Sequence, residues 1–174
     1  MKWKETLINK LIVLFNENDD WKLIKEDVLK NSGIGVHLAI FNEPFLSAIL
    51  EERKTIESRF SVNRIDPFRK VYEKDIILIK ESGGLIMGFF VAGRTEYWIN
   101  NKLRLEQIKE KYNDKICASL DENFWQKRAT SKYITLIEVK KVFTFNSFNI
   151  MKKDRTSWSV IKQANKPTFF NLMQ

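Results

Sequence analysis

The 174-residue chain has one cysteine, one histidine, three prolines and six glycines. Each scarcity removes a class of chemistry. A lone Cys117 forms no internal disulfide. The first twenty residues carry only a short apolar stretch, broken by Asn9 and Lys10 and followed by no small-residue cleavage site, so no signal peptide is expected. Together these point to a reducing, cytoplasmic setting. One His and one Cys fall short of the three or four ligands of a Cys/His zinc site, and no other metal or cofactor is implied. A His-dependent nucleophile would have to use His37. No apolar run approaches the ~18 residues of a membrane span, so no membrane helix is expected.

Charge and aromatic bulk are present instead. The net charge is +8, with 13 Phe and 5 Trp to fill a core. Residues 1–100 carry 15 basic and 15 acidic side chains, and residues 101–174 carry 15 against 7, so the second stretch holds the whole excess. From Val139 onward Lys140, Lys141, Lys152, Lys153, Arg155, Lys162 and Lys166 are opposed only by Asp154. Local excess of this kind is the electrostatic footprint of a polyanion binder, because each neutralised phosphate releases counterions. It is equally the pattern of a solvated basic face. Phe143, Phe145, Phe148, Trp158, Phe169 and Phe170 lie among these cations; they are either stacking platforms for bases or the core side of a strand.

The periodicity divides the chain near residue 35. Residues 1–30 read as two helices, with Trp3, Leu7, Ile8, Leu11, Ile12, Leu14 and Phe15 at helical spacing, an acidic break at 17–20, and Gly33 suited to a left-handed cap. They form an N-terminal helical extension, 1–35, that either docks a partner or packs on the main domain, 36–174. That domain reads as strands at 36–41, 55–60, 75–80, 85–98, 133–145 and 158–161, and helices at 45–50, 103–112 and 121–128. Asn42 is positioned to cap the first of these helices and Pro44 to sit in its first turn. Glu81-Ser82-Gly83-Gly84 is a hairpin turn, and Gly88 and Gly93 let the long strand bend. Several strands with bend points and few intervening helices indicate an α+β fold, a small mixed β-barrel with flanking helices, rather than a doubly wound sheet.

One stretch concentrates charge where a helix meets a strand: Glu51-Glu52-Arg53-Lys54-Thr55-Ile56-Glu57-Ser58-Arg59-Phe60. Strand alternation puts Thr55, Glu57 and Arg59 on one face and Ile56, Ser58 and Phe60 on the other, with Lys54 at the helix end. Lys, Glu and Arg thus converge. The stretch resembles the ASCH family of the PUA-like superfamily, whose hallmark is Gly-x-Lys-x-x-Glu-x-Arg after the first helix. Lys54, Glu57 and Arg59 match it, and Glu52 stands where the family has glycine. The order of elements from Val36 to Ile161 matches as well. The resemblance implies a PUA-like, partly open barrel whose cleft is lined by the motif, and RNA or a modified nucleoside as the partner. Lys80, at the end of a strand, and Lys152, Lys153, Arg155 and Trp158, near the C-terminus, are further candidate ligand contacts.

The resemblance also carries an enzymatic alternative. Some family members resemble N4-acylcytidine amidohydrolases with a Lys, Thr and Glu catalytic set, and ribonuclease activity is attributed to others. Lys54 matches the lysine, Glu57 stands where the threonine would be, and Glu110 or Asp114 are the nearest candidates for the glutamate. If the protein is an enzyme, Lys54 and Glu57 are its catalytic candidates. Lys54 would then need a pKa lowered by burial or by Arg53 and Arg59. Each residue also has a plainer reading: Lys54 as an exposed helix-end lysine, Glu57 and Arg59 as an ion pair, His37 as a half-buried structural histidine, Cys117 as a small apolar residue, and Trp158 as core. A third possibility is a protein-interaction module that docks through the N-terminal helices.

Overall fold

The computed structural model describes residues 2–17, 21, 25–26, 28, 33–152 and 156–165. In chain order the elements are α1 (Lys2–Asn16), β1 (Val36–Phe41), α2 (Phe45–Leu50), β2 (Ile56–Ser61), β3 (Ile76–Glu81), β4 (Ile86–Ile99), α3 (Lys102–Ile116), β5 (Tyr133–Phe148) and β6 (Trp158–Lys162). Two 3-10 turns, Ala118–Leu120 and Gln126–Arg128, lie between α3 and β5. Among the described residues the strands form one sheet in the order β2-β5-β4-β3-β1-β6. The β1–β3 pair is parallel and the other pairs are antiparallel. The sheet curls into a half-barrel, the mixed α+β architecture expected from the sequence.

The curl comes from β4 and β5, which exchange register three times, between Ile86 and Gly88, Phe90 and Ala92, and Ala92 and Thr95. Such bulges bend a strand and increase its twist. Gly88 sits at one of them because a Cβ there would lie 2.2 Å from the carbonyl oxygen of Phe143. β3, with its run of isoleucines, lies centrally and is buried on both faces, as a near-continuous apolar strand should be.

Strand alternation sorts the core into layers. Ala39, Phe41, Ile77, Ile79, Phe90, Ile137 and Trp158 face the concave side, joined by Leu46 and Ile49 of α2. Leu38, Leu78, Ile86 and Phe89 face the convex side and meet Leu7, Leu11 and Phe15 of α1. A third cluster packs Leu105, Ile108, Tyr112 and Ile116 of α3 on Ile134 and Leu136, with Phe124. The N-terminal segment therefore shares a core with the sheet. Phe15 meets Phe89 edge-to-face at 5.6 Å and Trp21 at 6.0 Å. The second expected helix falls mostly outside the described residues. Gly33 takes the left-handed φ of 83°. Among the described residues no helix is long and apolar enough to cross a membrane.

Three local expectations are corrected. Asn42 is not a side-chain cap: Pro44 precedes α2, and the Glu43 carboxylate accepts from the Ser47 backbone N–H and hydroxyl instead. α3 runs past Tyr112 to Ile116, which continues the Leu105, Ile108, Tyr112 stripe at helical spacing. The segment 121–128 is a series of turns ending in a 3-10 turn rather than a helix. There Asp121 Oδ1 accepts from the Asn123 backbone N–H at 3.1 Å, the local side-chain bond that competes with helix.

Because α1 supplies core, Leu11→Ala is expected to cost about 2–5 kcal/mol, the usual range for a fully buried leucine. Urea denaturation followed by circular dichroism measures it; a loss below about 1 kcal/mol would show that α1 is only loosely attached.

Candidate functional site

The site starts with a chain reversal. α2 ends at Leu50, and Glu52 takes the left-handed φ of 58° while its N–H bonds to the Ile49 carbonyl. The geometry that glycine adopts freely is thus kept by a glutamate, against a steric cost of about 1–2 kcal/mol. The Lys54 N–H then bonds to Ala48 O at 2.9 Å, and the Thr55 N–H to Lys115 O at 3.0 Å. These bonds turn the Lys54 side chain inward. Arg53 points away and pairs with Glu51 at 2.7 Å, so it is not the cationic neighbour of Lys54 that the sequence offered.

Lys54 is 3% exposed rather than a solvated helix-end lysine. Its ammonium donates to Ile56 O at 2.9 Å and Ile116 O at 3.1 Å, and lies 3.4 Å from Glu57 Oε2. Three N–H bonds therefore have three acceptors. Burial pushes the Lys54 pKa below its ordinary value; Glu57 opposes that shift and the Arg59 charge adds to it. Glu57, also 3% exposed, spends its other oxygen on Arg59 Nε at 2.5 Å. Arg59 keeps 18% of its side chain exposed. Its guanidinium donates to Ile40 O at 3.0 Å and Ser157 O at 3.3 Å, and lies 5.0 Å from the Phe41 ring centroid and 5.1 Å from that of Trp158. β2 and β6 are the two edges of the sheet. Arg59 therefore spans the mouth of the half-barrel from one edge to the other.

Behind Trp158 lies a buried relay. Its indole N–H donates to His37 Nδ1 at 3.2 Å, so the ring hydrogen sits on Nε2, which donates to Asp75 Oδ2 at 3.1 Å. Asp75 also accepts from the Gly35 and Tyr72 N–H groups at 2.6 and 2.8 Å. His37 is fully buried rather than half-buried, and its contacts are structural. Cys117 is buried and forms the left-handed cap of α3, whereas both His37 ring nitrogens are taken by Trp158 and Asp75.

Under this bridge is a cavity of about 380 Å³. Glu57 and Arg59 line it, and so do Ser58 and Phe60, because an edge strand leaves both faces of its last turns accessible to the opening. The opposite wall is Phe45, Phe124, Lys127, Arg128 and Ser131. Sequence reading missed these last three. Their signal was the Phe124-Trp125 pair beside Lys127-Arg128, a second place where aromatic and basic residues adjoin. Arg128 lies flat on Phe124, 3.5 Å from the centroid, and 5.4 Å from that of Phe60, and bonds to Phe124 O at 2.7 Å. Burial lowers its pKa from the usual guanidinium value. Lys127 is held by Asp121 at 2.9 Å.

The other candidates fall elsewhere. Lys80 is outside the cavity wall, its ammonium bonded to Glu81 O and Gly84 O in the β3–β4 turn. Lys152 bonds to Thr156. Lys153 and Arg155 lie outside the described residues. Trp158 presents its ring to Arg59 from the concave core, and Ser157 beside it lines the cavity. Thr55 lines a separate cavity with Arg94, Lys111 and Lys115. Glu110 and Asp114 are exposed on α3 and outside the cavity wall, which leaves Glu57 as its one carboxylate among the described residues.

No protein-family sequence model matches the chain, and no curated protein sequence does. Solved structures do. The crystal structure of ASCH from Zymomonas mobilis superposes with a TM-score of 0.52 at 14% identity, covering 66% of this chain and 73% of that one. Two variants of that protein, a tyrosine-to-phenylalanine and a serine-to-alanine mutant, match at the same TM-score with 15% and 16% identity, over 66% of this chain and 75% and 73% of theirs. The fold is ASCH-like. In this fold Lys54, Glu57 and Arg59 meet at the mouth of the half-barrel. Glu52, two residues before Lys54, takes the left-handed conformation that glycine adopts freely.

Glu52→Gly relieves the left-handed strain and is expected to stabilise the protein by about 0.5–1 kcal/mol, the greater freedom of the unfolded glycine chain offsetting part of the gain; chemical denaturation of the two proteins measures it. For Lys54 the folded pKa is depressed below 10.5. Between the folded and unfolded values the unfolded chain binds more protons, so this residue's contribution to stability rises with pH through that window. Compared with Lys54→Met, in which nothing titrates there, the wild type should gain stability as pH is raised toward 10.5. A parallel pH dependence in the two proteins would contradict the depressed value.

Proposed function

We propose that the protein binds single-stranded RNA and seats one nucleotide in the Lys54–Glu57–Arg59 cleft. The observation that carries this reading is the pair of guanidinium groups, Arg59 and Arg128, each lying on aromatic rings in the wall of one cavity. A planar cation backed by a ring offers both a stacking surface and directed N–H donors, the combination that holds an unstacked base and its phosphate. The volume falls at the lower end of the ~300–1,000 Å³ typical of small-ligand sites. The ASCH-like fold supports the same assignment, since the family is associated with RNA. A cytoplasmic setting and the absence of a membrane partner go with it.

Binding is favoured over hydrolysis by the state of the two would-be catalysts. Lys54 acts as nucleophile only after losing a proton and breaking a bond to a carbonyl, and Glu57 only after releasing Arg59. The exposed Glu110 and Asp114 do not bring a second carboxylate to the cavity. Docking through the N-terminal helices is disfavoured because the apolar stripe of α1 is already buried on the sheet.

The test is end-labelled RNA on matched native and denaturing gels at low and moderate salt. Intact RNA should shift, with affinity falling as salt rises. Arg128→Ala should weaken binding about fivefold or more, the effect of losing ~1–3 kcal/mol of stacking and contact. RNA fragments that disappear in Glu57→Gln would replace the binding reading with a nuclease. RNA neither shifted nor cut at low salt would defeat both, and N4-acylated cytidines would become the substrates to try.

A further inference from the structure

The basic residues that the sequence offered as a backbone guide are those beyond Val139. The fold puts a different group of cations next to the cleft. Arg128 lines the cavity, and its carbonyl accepts from the Ser131 N–H at 3.0 Å. The next residue, Lys132, is exposed and its N–H bonds to Ser61 O at 2.8 Å, which fastens it to the end of β2. The loop that leaves β2 carries Arg64 and Arg69, both exposed, with guanidinium carbons 5.9 and 5.5 Å from the centroid of Phe68. Phe68 packs at 5.0 Å against Tyr133, the neighbour of Lys132. Arg128, Lys132, Arg64 and Arg69 thus follow one another along a single rim, joined by backbone bonds and by one ring contact.

Their charge is open. Among the described residues none of the four forms an ion pair, whereas Arg53, Arg59, Arg94, Lys127 and Lys140 each hold a carboxylate. The loop's acidic residues are Asp66 and Glu73, both exposed, and Asp75, which is buried against His37, and among the described residues none of them pairs with Arg64 or Arg69. Val62 and Ile65, about 51% and 57% exposed on the same loop, add apolar surface beside the cations. Unpaired cations interleaved with exposed apolar side chains are what a flexible polyanion with hydrophobic base faces requires.

Resting on the reading of the cleft as a nucleotide site, we infer that this rim, from Arg128 through Lys132 to Arg64 and Arg69, carries the nucleotides that flank the one in the cleft. The partner is a single strand: a base seated in the cleft has left its stack, and the rim contacts require no base pairing. The C-terminal lysines are then not the principal track.

The experiment compares a labelled trinucleotide and dodecamer of oligouridylate, titrated over a salt series into the wild type and into Arg64→Ala/Arg69→Ala/Lys132→Ala. The dodecamer should bind the wild type more tightly than the trinucleotide. The triple variant should lose tenfold or more for the dodecamer and less than twofold for the trinucleotide. The magnitude of its log–log salt slope should fall by about 2, since each single-strand phosphate contact contributes ~0.7. Thermal melting checks the fold, and Arg64→Gln/Lys132→Gln repeats the measurement if the triple variant is unstable. A dodecamer affinity unchanged in the variant, or no tighter than that of the trinucleotide, overturns the rim while leaving the cleft intact. Rim-dependent dodecamer binding with no trinucleotide binding overturns the cleft reading and leaves the rim as a polyanion surface. Binding of neither probe at low salt overturns both.

Discussion

The half-barrel depends on one side chain at its opening. An open curled sheet leaves its two edges unjoined, and here Arg59, rooted in the edge strand β2, donates across the opening to Ile40 O of β1 and to Ser157 O just before the edge strand β6. The guanidinium suits this task. It is planar, it carries five N–H donors, and it stays charged while its faces lie on Phe41 and Trp158. Glu57 holds the third side of the fork, and Lys54 holds Glu57. The motif is therefore a closure device in its own right. It joins the α2 end, the α3 C-terminus through Ile116, β2, β1 and the residue before β6.

Burying this triad is expensive in free energy, because removing charges from water costs several kcal/mol per ion before pairing recovers it. The arrangement lessens that cost by satisfying nearly every donor: Lys54 meets two carbonyls and a carboxylate, and Glu57 meets one cation on each oxygen. Trp158 adds support from behind. Its N–H is fixed by His37, whose ring is fixed by Asp75, and Asp75 is fixed by two backbone N–H groups. The one histidine of the chain thus serves geometry rather than proton transfer, and it reaches the cleft only through the indole that lies on Arg59.

Much of this architecture was legible in the residues. Strand existence and order followed from alternation and turn signals, and the Lys, Glu and Arg positions followed from their spacing across a helix–strand junction. What was illegible depended on long-range contacts. The burial of Lys54 depends on a reversal at Glu52 that a glutamate gives no reason to expect, and on carbonyls as far away as Ile116. Lys80 reads as a cleft residue because it ends a strand, but the turn carbonyls that bind it lie outside the cavity wall. Arg128 ends a segment read as an ordinary helix and Ser131 follows it, and only the turn that wraps Phe124 brings them opposite β2. Charge counted along the chain likewise drew attention to the C-terminal third. Charge counted in space places open cations at the rim, where residues from both halves of the chain meet.

The motif's own charge balance separates closure from binding. Lys54 and Glu57 are nearly saturated and nearly buried, so each offers a ligand little without first losing a partner. Arg59 and Arg128 are different: their fixed bonds run to carbonyl oxygens and, for Arg59, to Glu57, and these leave guanidinium edge directed at the cavity they line. A phosphate or a base carbonyl therefore meets cations that are already oriented and partly desolvated, so little side-chain ordering remains to oppose binding. The carboxylate plays the complementary part. By occupying the Nε side of Arg59 it turns the remaining N–H groups toward the far edge and the cavity, and it keeps the net charge of the buried pair low enough to fold. On the proposed binding reading, closure of the barrel and recognition of an anion are served by two sides of the same guanidinium.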